Sequence, residues 1–166
     1  VDYCVIGSGI VGLSTAIHLQ KNNPKAKVLV LERGWLPIGA STRNAGFACF
    51  GSMTELLDDL EQRPEDEVWA LVEQRYQGLL QLRQLLGDQA IHYLPEGGYE
   101  LFTSSEKSVF ESCLGYIRPF NQRLKEITGR PNCFADVSHQ LLDFGMNQVQ
   151  HLIVNQAEGS IDTGEM

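Results

Sequence analysis

The sequence predicts an α/β protein that starts with a strand, a turn, a helix and a second strand. Residues 3–6 and 27–32 are short apolar runs rich in β-forming residues. Between them lie a glycine-rich turn and a stretch with apolar residues at helical spacing, which Asn22-Asn23-Pro24 ends. The second run is nearly all apolar, which is typical of a central strand covered on both faces. The first 32 residues therefore predict one βαβ unit.

The middle of the chain predicts a loop and then helices. Residues 34–52 are rich in glycine and small polar residues, and they show little periodicity, which predicts a long loop. Residues 53–60 and 64–86 follow a helical period, and Gly87 is suited to end the second helix. Residues 91–94 and 99–102 flank Pro95-Glu96-Gly97-Gly98, so we expect them to pair as a β-hairpin.

The last third of the chain predicts one more helix and one more strand. Thr103 and Glu106 have the spacing of a capping box before a helical stretch. We expect Pro119 to kink or restart that helix and Gly129-Arg130-Pro131 to end it. Residues 149–154 predict a strand. Asp162 or Thr163 would cap a new helix, so we also expect the sequence to be a piece of a longer protein.

Composition excludes several classes of function. The chain has 166 residues with 13 basic and 21 acidic side chains, a net charge of −8, which argues against nucleic-acid binding. No apolar run approaches the ~18 residues of a membrane span, and Asp2 and the glycines argue against a signal peptide, so we expect a cytoplasmic location. The four cysteines are scattered, and we expect neither a metal site nor a disulfide framework.

The glycine-rich turn has the spacing of a dinucleotide-binding fingerprint. Gly7-x-Gly9-x-x-Gly12 follows the first strand and opens the helix, and Glu32 comes twenty positions after Gly12 at the end of the second strand. Gly7 permits the tight turn, Gly9 lets backbone approach a pyrophosphate, and Gly12 lets the helix pack close to the sheet. The helix N-terminus at Ile10 favours the anion. This pattern predicts a Rossmann-like fold that binds FAD or NAD.

Glu32 and its neighbour bear on which nucleotide binds. The Glu32 carboxylate can accept hydrogen bonds from adenosine ribose hydroxyls, and it would repel a 2′-phosphate, which argues against NADP. Arg33 weakens that exclusion. These residues do not distinguish FAD from NAD.

The segment after the second strand carries a family resemblance. Together with residues 5–14, the run Gly39-Ala40-Ser41-Thr42-Arg43-Asn44-Ala45-Gly46 closely resembles the N-terminus of the D-amino-acid oxidase-like flavoproteins. The resemblance implies FAD as the cofactor. It implies that Ser41, Thr42 and Arg43 contact the pyrophosphate or ribityl chain, and that Asn44, Ala45 and Gly46 pass close to the isoalloxazine ring.

The resemblance also implies an activity and a domain arrangement. We expect an FAD-dependent oxidoreductase that oxidises an amine- or hydroxyl-bearing carbon of a small amino or hydroxy acid, by hydride transfer to flavin. Residues 1–90 would be the first segment of the FAD domain with a helical insertion, and residues 91–166 would begin an α+β substrate domain. The resemblance places the usual substrate-binding residues in a later part of the family's chain, so no catalytic residue is nominated here.

Two other functions stay open from the sequence. The βαβ unit alone is also compatible with an NAD-dependent dehydrogenase. The resemblance carried by residues 39–46 argues against that function. A non-catalytic interaction domain with a vestigial nucleotide fold is the third possibility, and the intact glycine pattern with Glu32 weighs against it. The sequence does not indicate an oligomeric state.

Overall fold

A computed structural model describes residues 1–165 of the chain, and it confirms the mixed α/β class. The strands are β1 Tyr3–Ile6, β2 Val28–Leu31, β3 Phe47–Ala48, β4 Gly98–Thr103, β5 Phe134–Asp136, β6 Val149–Asn155 and β7 Gly159–Ser160. The helices are α1 Ile10–Asn22, α2 Met53–Gln62, α3 Glu65–Leu86, α4 Lys107–Thr128 and α5 Leu141–Phe144, with short 3-10 turns at Ala40–Thr42, Ser104–Glu106 and Ser138–Gln140.

The chain forms two compact units, one over Val1–Ala45 and one from Gly46 onward. Each is described separately below. The division that the sequence predicts after residue 90 concerns domains of the whole protein and stays a prediction.

The first unit is the predicted βαβ arrangement. β1 and β2 pair in parallel, with Tyr3 opposite Val28 and Ile6 opposite Leu31. α1 connects them, as a parallel pair requires, because a crossover must carry the chain back to the same end of the sheet. The glycine turn therefore lies where β1 ends and α1 begins, which is the position that the fingerprint demands.

The expectation that β2 is covered on both faces is not met within this unit. Across Val1–Ala45, all of which the structure describes, no residue is fully buried. Val28 and Val30 are half-buried, whereas the alternate residues Leu29 and Leu31 are 41% and 48% exposed. A two-stranded sheet with one helix offers cover for a single face, and the period-2 alternation of the strand sends every other side chain to the open side.

The second unit holds the hydrophobic core. Its largest cluster joins Phe50 and residues of α2, α3 and α4 to the sheet residues Phe102, Phe134 and Ile153. Trp69 of α3 and Phe120 of α4 meet edge to face, with ring centroids 5.2 Å apart. The amphipathic pattern read from residues 53–86 is confirmed here, because its apolar face packs into this cluster.

The three-stranded sheet has the order β4-β6-β5 and is antiparallel. In the central strand β6, Ile153 faces the helical core, while Leu152 and Val154 pack with Val137 and Leu141 on the other side. Covering on both faces explains why four consecutive residues of β6, 152–155, are buried.

A second small ladder brings the end of the chain against the segment that follows Ala45. β3 pairs antiparallel with β7, with Phe47 opposite Ser160 and Ala48 opposite Gly159. On the other edge of β7, Leu94 and Ser160 exchange two backbone hydrogen bonds of 2.9 and 3.0 Å. β7 thus lies between β3 and Leu94.

The predicted hairpin of residues 91–94 with 99–102 is wrong. Leu94 pairs with Ser160, and β4 pairs with β6 instead. Residues 95–97 form no turn, because Gly97 donates its N–H to the Glu158 carbonyl and the chain from Leu94 to β4 runs on beside the distant segment 149–160. Local turn chemistry therefore predicted a reversal that this long-range pairing replaces.

The capping box and the end of the helix at Gly129 are confirmed, whereas the restart offered as one effect of Pro119 is not seen. Thr103 and Glu106 exchange side-chain and backbone hydrogen bonds, and Gly129 ends α4 in the left-handed conformation with φ +74°. α4 continues as one helix through Pro119 and does not restart there.

The helix that Asp162 or Thr163 was expected to cap is not present up to residue 165. Residues 163–165 form a turn in which Asp162 Oδ1 accepts the Gly164 N–H.

None of the helices in the described part of the chain combines the length and apolarity needed to cross a bilayer.

Asn121 provides a test of this packing. Its buried side chain donates to the Phe134 carbonyl at 2.8 Å and accepts the Phe134 N–H at 2.7 Å, which satisfies the free edge of β5. We expect Asn121→Ala to lower the free energy of unfolding by about 2–4 kcal/mol, because two buried backbone groups lose their partners. Urea unfolding of the two proteins would measure this, and an unchanged midpoint would contradict it.

Candidate functional site

The glycine turn is held to the end of β2. Gly7 has φ +97°, a conformation that side chains rarely adopt, and its N–H donates to the Leu31 carbonyl at 2.7 Å. The turn therefore begins one residue after β1 and leads directly to the N-terminus of α1.

Ser41 lies at the N-terminus of α1. Gly9 precedes the helix and has no side chain with which to cap it. Instead the Ile10 N–H donates to Ser41 Oγ at 2.9 Å, across 31 positions of sequence. A Cβ on Gly9 would lie 2.9 Å from the same oxygen. Gly9 thus leaves the room that lets Ser41 lie against the start of the helix.

Gly12 packs the helix against the turn. A Cβ at this position would overlap the carbonyl oxygen of Gly7 and approach the Gly7 carbonyl carbon to 3.0 Å. This is the close approach that the third glycine of the fingerprint is expected to permit.

Glu32 accepts hydrogen bonds from the turn itself. Oε2 accepts the Ser8 N–H and hydroxyl, both at 2.8 Å, and Oε1 accepts the Gly34 N–H at 3.1 Å. These hydrogen bonds, of which the one from the Ser8 N–H has the largest effect, lower the pKa of Glu32 to about 2. The carboxylate is therefore charged at neutral pH. Its two oxygens offer roughly four acceptor sites, of which three are used, so capacity remains for a hydroxyl.

Residues 40–45 form a tight, self-bonded turn. Thr42 Oγ1 donates to the Pro37 carbonyl at 2.6 Å, and Asn44 Nδ2 donates to the carbonyls of Ala40 and Ser41 at 3.0 and 3.1 Å. Arg43 and Ala45 lie on the exposed surface of the same turn, and Arg33 is exposed next to Glu32. In this segment, Ser41 contacts the start of α1 through the Ile10 N–H.

Gly46 belongs to the second unit. It is buried with φ +72°, and its carbonyl accepts the Ile161 N–H at 2.8 Å. A Cβ here would overlap the Ile161 carbonyl oxygen. The backbone conformation and the close neighbour both require glycine at this position.

Two glutamates that the sequence analysis missed lie where α2 begins. Glu158, 4% exposed, accepts the N–H groups of Phe50 and Gly51 on Oε1 at 2.9 and 3.2 Å. Glu100 of β4 accepts the Met53 N–H at 3.0 Å and the Thr54 hydroxyl. Neither has a sequence signal, because each reaches its partner through pairing between segments far apart in the chain.

Burial sets the ionisation of Glu158. Desolvation raises its pKa to about 7, opposed by the hydrogen bonds from Phe50 and Gly51 and reinforced by the negative charges of Glu55 and Glu100. A carboxyl with this pKa changes charge near neutral pH.

The first unit has the geometry of a dinucleotide-binding site. Gly9 leaves room for the Ser41 hydroxyl beside the N-terminus of α1, and the charged Glu32 retains acceptor capacity at the end of β2. These features fit a pyrophosphate and a ribose, respectively. In residues 1–165 no cluster of His, Cys, Asp or Glu is arranged to hold a metal ion. The fold and the site thus define a dinucleotide-binding α/β protein.

The family follows from comparison with known proteins. The family model described as FAD dependent oxidoreductase, DAO, matches residues 2–134. This chain belongs to that family, and the resemblance seen in residues 2–47 is confirmed. The family's cofactor is FAD, which agrees with the features of the first unit.

Sequence relatives are similar over part of the chain. The beta subunit of sarcosine oxidase from Arthrobacter sp. is 36% identical over 96 residues, 52% of this chain and 23% of that protein. The Haemophilus influenzae protein named Probable oxidoreductase OrdL is 39% identical over 70 residues, 42% of this chain and 16% of that protein.

Solved structures share the fold over nearly the whole chain. Glycine oxidase from Bacillus cereus matches with a TM-score of 0.64 at 16% identity, over 99% of this chain and 42% of that one. Iminodiacetate oxidase from Chelativorans sp. matches with a TM-score of 0.65 at 19% identity, over 98% and 41%. The chain thus spans less than half the length of each of these proteins.

Glu32 can be tested against a matched control in the same turn. We expect Glu32→Gln to weaken FAD binding about tenfold, because the amide removes the charge and half of the acceptor capacity offered to the ribose. Ser8→Ala removes one hydrogen bond to Glu32 and leaves the carboxylate, so its FAD affinity is expected to stay within about threefold of wild type. Titration of the apoprotein with FAD gives both values, and equal affinities for Glu32→Gln and wild type would contradict the role of Glu32.

Proposed function

We propose that this chain is the FAD-anchoring first part of an enzyme that oxidises the amine- or hydroxyl-bearing carbon of a small amino or hydroxy acid. The observation that carries the proposal is the family match over residues 2–134, which coincides with a glycine turn, helix N-terminus and charged Glu32 suited to FAD. An amine next to a carboxylate is the favoured substrate class.

The names of the similar proteins support that class. Sarcosine oxidase, glycine oxidase and iminodiacetate oxidase are named for small amino acids or their N-substituted derivatives. A further structural neighbour, the L-amino acid deaminase of Proteus vulgaris, has a TM-score of 0.57 at 20% identity. We extend this shared chemistry to the present protein as a proposal.

The residues of the first unit would bind and orient the cofactor. The N-terminus of α1, the Ser41 hydroxyl and the adjoining Thr42 and Arg43 would contact the pyrophosphate, and Glu32 would accept hydrogen bonds from the ribose; the contact of Ser41 with Ile10 and of Glu32 with Ser8 supports this. Asn44, Ala45 and Gly46 would follow the isoalloxazine ring, as the family resemblance implies. Bound FAD would supply the hydride acceptor, and the protein supplies binding and orientation.

The arrangement of the whole protein is also proposed. Residues 1–90 would belong to the FAD domain, and residues 91–166 would begin the substrate domain. The substrate would be a small molecule, and the location would be the cytoplasm, as the sequence predicts.

Anaerobic reduction of the bound flavin tests the proposed function. The protein in its full natural length is mixed without oxygen with glycine, sarcosine, iminodiacetate, D-amino acids and 2-hydroxy acids in turn. We expect at least one amino acid to bleach the visible absorbance of the oxidised flavin. Bleaching by a 2-hydroxy acid alone would move the proposal to hydroxyl oxidation, and an absence of bleaching with every compound would overturn it.

A further inference from the structure

We infer that Glu158 is a positioning residue for Gly46, the flavin-lining residue of the second unit, because its side chain fixes the path of the backbone that leads away from Gly46. The inference rests on the proposed function, since it assumes that Gly46 contacts FAD.

Residues 158–161 run antiparallel to residues 46–51 and contact them at three places. The Glu158 carboxylate accepts the N–H groups of Phe50 and Gly51 at one end. β7 pairs with β3 in the middle. The Ile161 N–H donates to the Gly46 carbonyl at the other end. The backbone that follows Gly46 is therefore held at both ends and in the middle by one short stretch of chain.

Glu158 supplies the part of this contact that backbone pairing cannot. β3 ends at Ala48, and Gly51 has φ +150°, so the chain leaves the ladder and turns into α2. The N–H groups of Phe50 and Gly51 lie beyond the end of the ladder, and the Glu158 carboxylate accepts both. The Phe50 carbonyl is held from the other side by Arg75 Nη1 at 3.3 Å. Both polar groups of the Phe50 backbone are thus bound by side chains.

The Glu158 side chain is closely packed. A Cβ on Gly98 would overlap Glu158 Oε2, and that oxygen therefore lies directly against the backbone of β4. The neighbouring charged groups are Glu55 of α2 and Glu100 of β4, with Arg75 of α3 bonded to Glu55 at 3.2 Å. A carboxylate packed this closely is suited to hold the backbone of Phe50 and Gly51 in place.

FAD titration of variants tests the inference. On the full natural chain, stripped of nucleotide, we expect Glu158→Ala to raise the Kd for FAD about tenfold or more, because Phe50 and Gly51 lose their acceptor. Glu158→Gln keeps an acceptor oxygen in place, so it is expected to restore affinity to within about threefold of wild type. Glu61→Gln, a charge removal on the exposed surface of α2, is the matched control and is expected to bind like wild type.

If Glu158→Ala does not fold, amide hydrogen exchange at Phe50 and Gly51 tests the positioning role of Glu158. In wild type and Glu158→Gln, FAD binding is expected to slow exchange at the Phe50 and Gly51 amides. Wild-type binding with unchanged exchange at these amides, or a folded Glu158→Ala with wild-type Kd, would overturn the positioning role alone. A wild-type protein that binds no FAD would overturn the proposed function as well.

Discussion

Gly12→Ala is expected to abolish FAD binding, with an affinity loss of about 100-fold or more. The added Cβ would overlap the Gly7 carbonyl oxygen, which is backbone and cannot rotate away. The start of α1 must therefore move from the glycine turn, and the Ile10 N–H then loses its position beside Ser41 Oγ. A 100-fold loss corresponds to about 2.7 kcal/mol.

Gly78→Ala is the matched control for this substitution. Gly78 lies within α3, and a Cβ there meets nothing within 4 Å. We expect this variant to bind FAD like wild type and to gain about 0.5–1 kcal/mol in the free energy of unfolding, because alanine favours a helix over glycine. FAD titration of both variants checks the pair. Wild-type affinity in Gly12→Ala would show that the turn does not carry the dinucleotide.

The buried carboxyl of Glu158 is expected to make stability fall as pH rises toward neutrality. Its folded pKa is raised to about 7 from the model-compound value of 4.5. Between these two values the folded chain retains a proton that the unfolded chain has released. The contribution of Glu158 to the free energy of unfolding therefore decreases from about pH 4.5 to about pH 7 and is constant above that range. The total change is about 3 kcal/mol, at 1.36 kcal/mol for each pKa unit.

Glu158→Gln removes this dependence because the amide is uncharged at every pH. We expect its stability relative to wild type to increase by about 3 kcal/mol between pH 4.5 and pH 8. Urea unfolding at several pH values measures the difference, with the buried Trp69 of the same core as the fluorescent probe in a Trp35→Phe background. Glu61→Gln should follow the wild-type curve. A constant difference between Glu158→Gln and wild type would show that Glu158 does not titrate in this range.

The sequence was informative where function depends on local pattern. The order β1-turn-α1-β2, the tight turn at Gly7, the close packing at Gly12 and the position of Glu32 all follow from spacing within 32 residues, and the structure has this arrangement. A tight turn and a closely packed helix accept few residues other than glycine, so the spacing of the glycines predicts the geometry of the turn.

The parts that escaped prediction depend on long-range pairing. The partner of Leu94 is Ser160, and the partner of β4 is β6, and no local signal in either segment distinguishes these from a hairpin. The same holds for Glu158, which reads in the sequence as an ordinary acidic residue before a glycine and is buried because β7 inserts beside β3. Ser41 was implied by resemblance, whereas its hydrogen bond from Ile10 required the fold.

Identification of the nucleotide that the protein carries tests the central claim most directly. The protein in its full natural length is purified, denatured to release any cofactor, and the released nucleotide is identified by mass. The account predicts FAD, either retained on purification or taken up stoichiometrically when the apoprotein is incubated with it. NAD in its place, or no nucleotide bound even after incubation with FAD, would contradict the assignment of the first unit as an FAD-binding site.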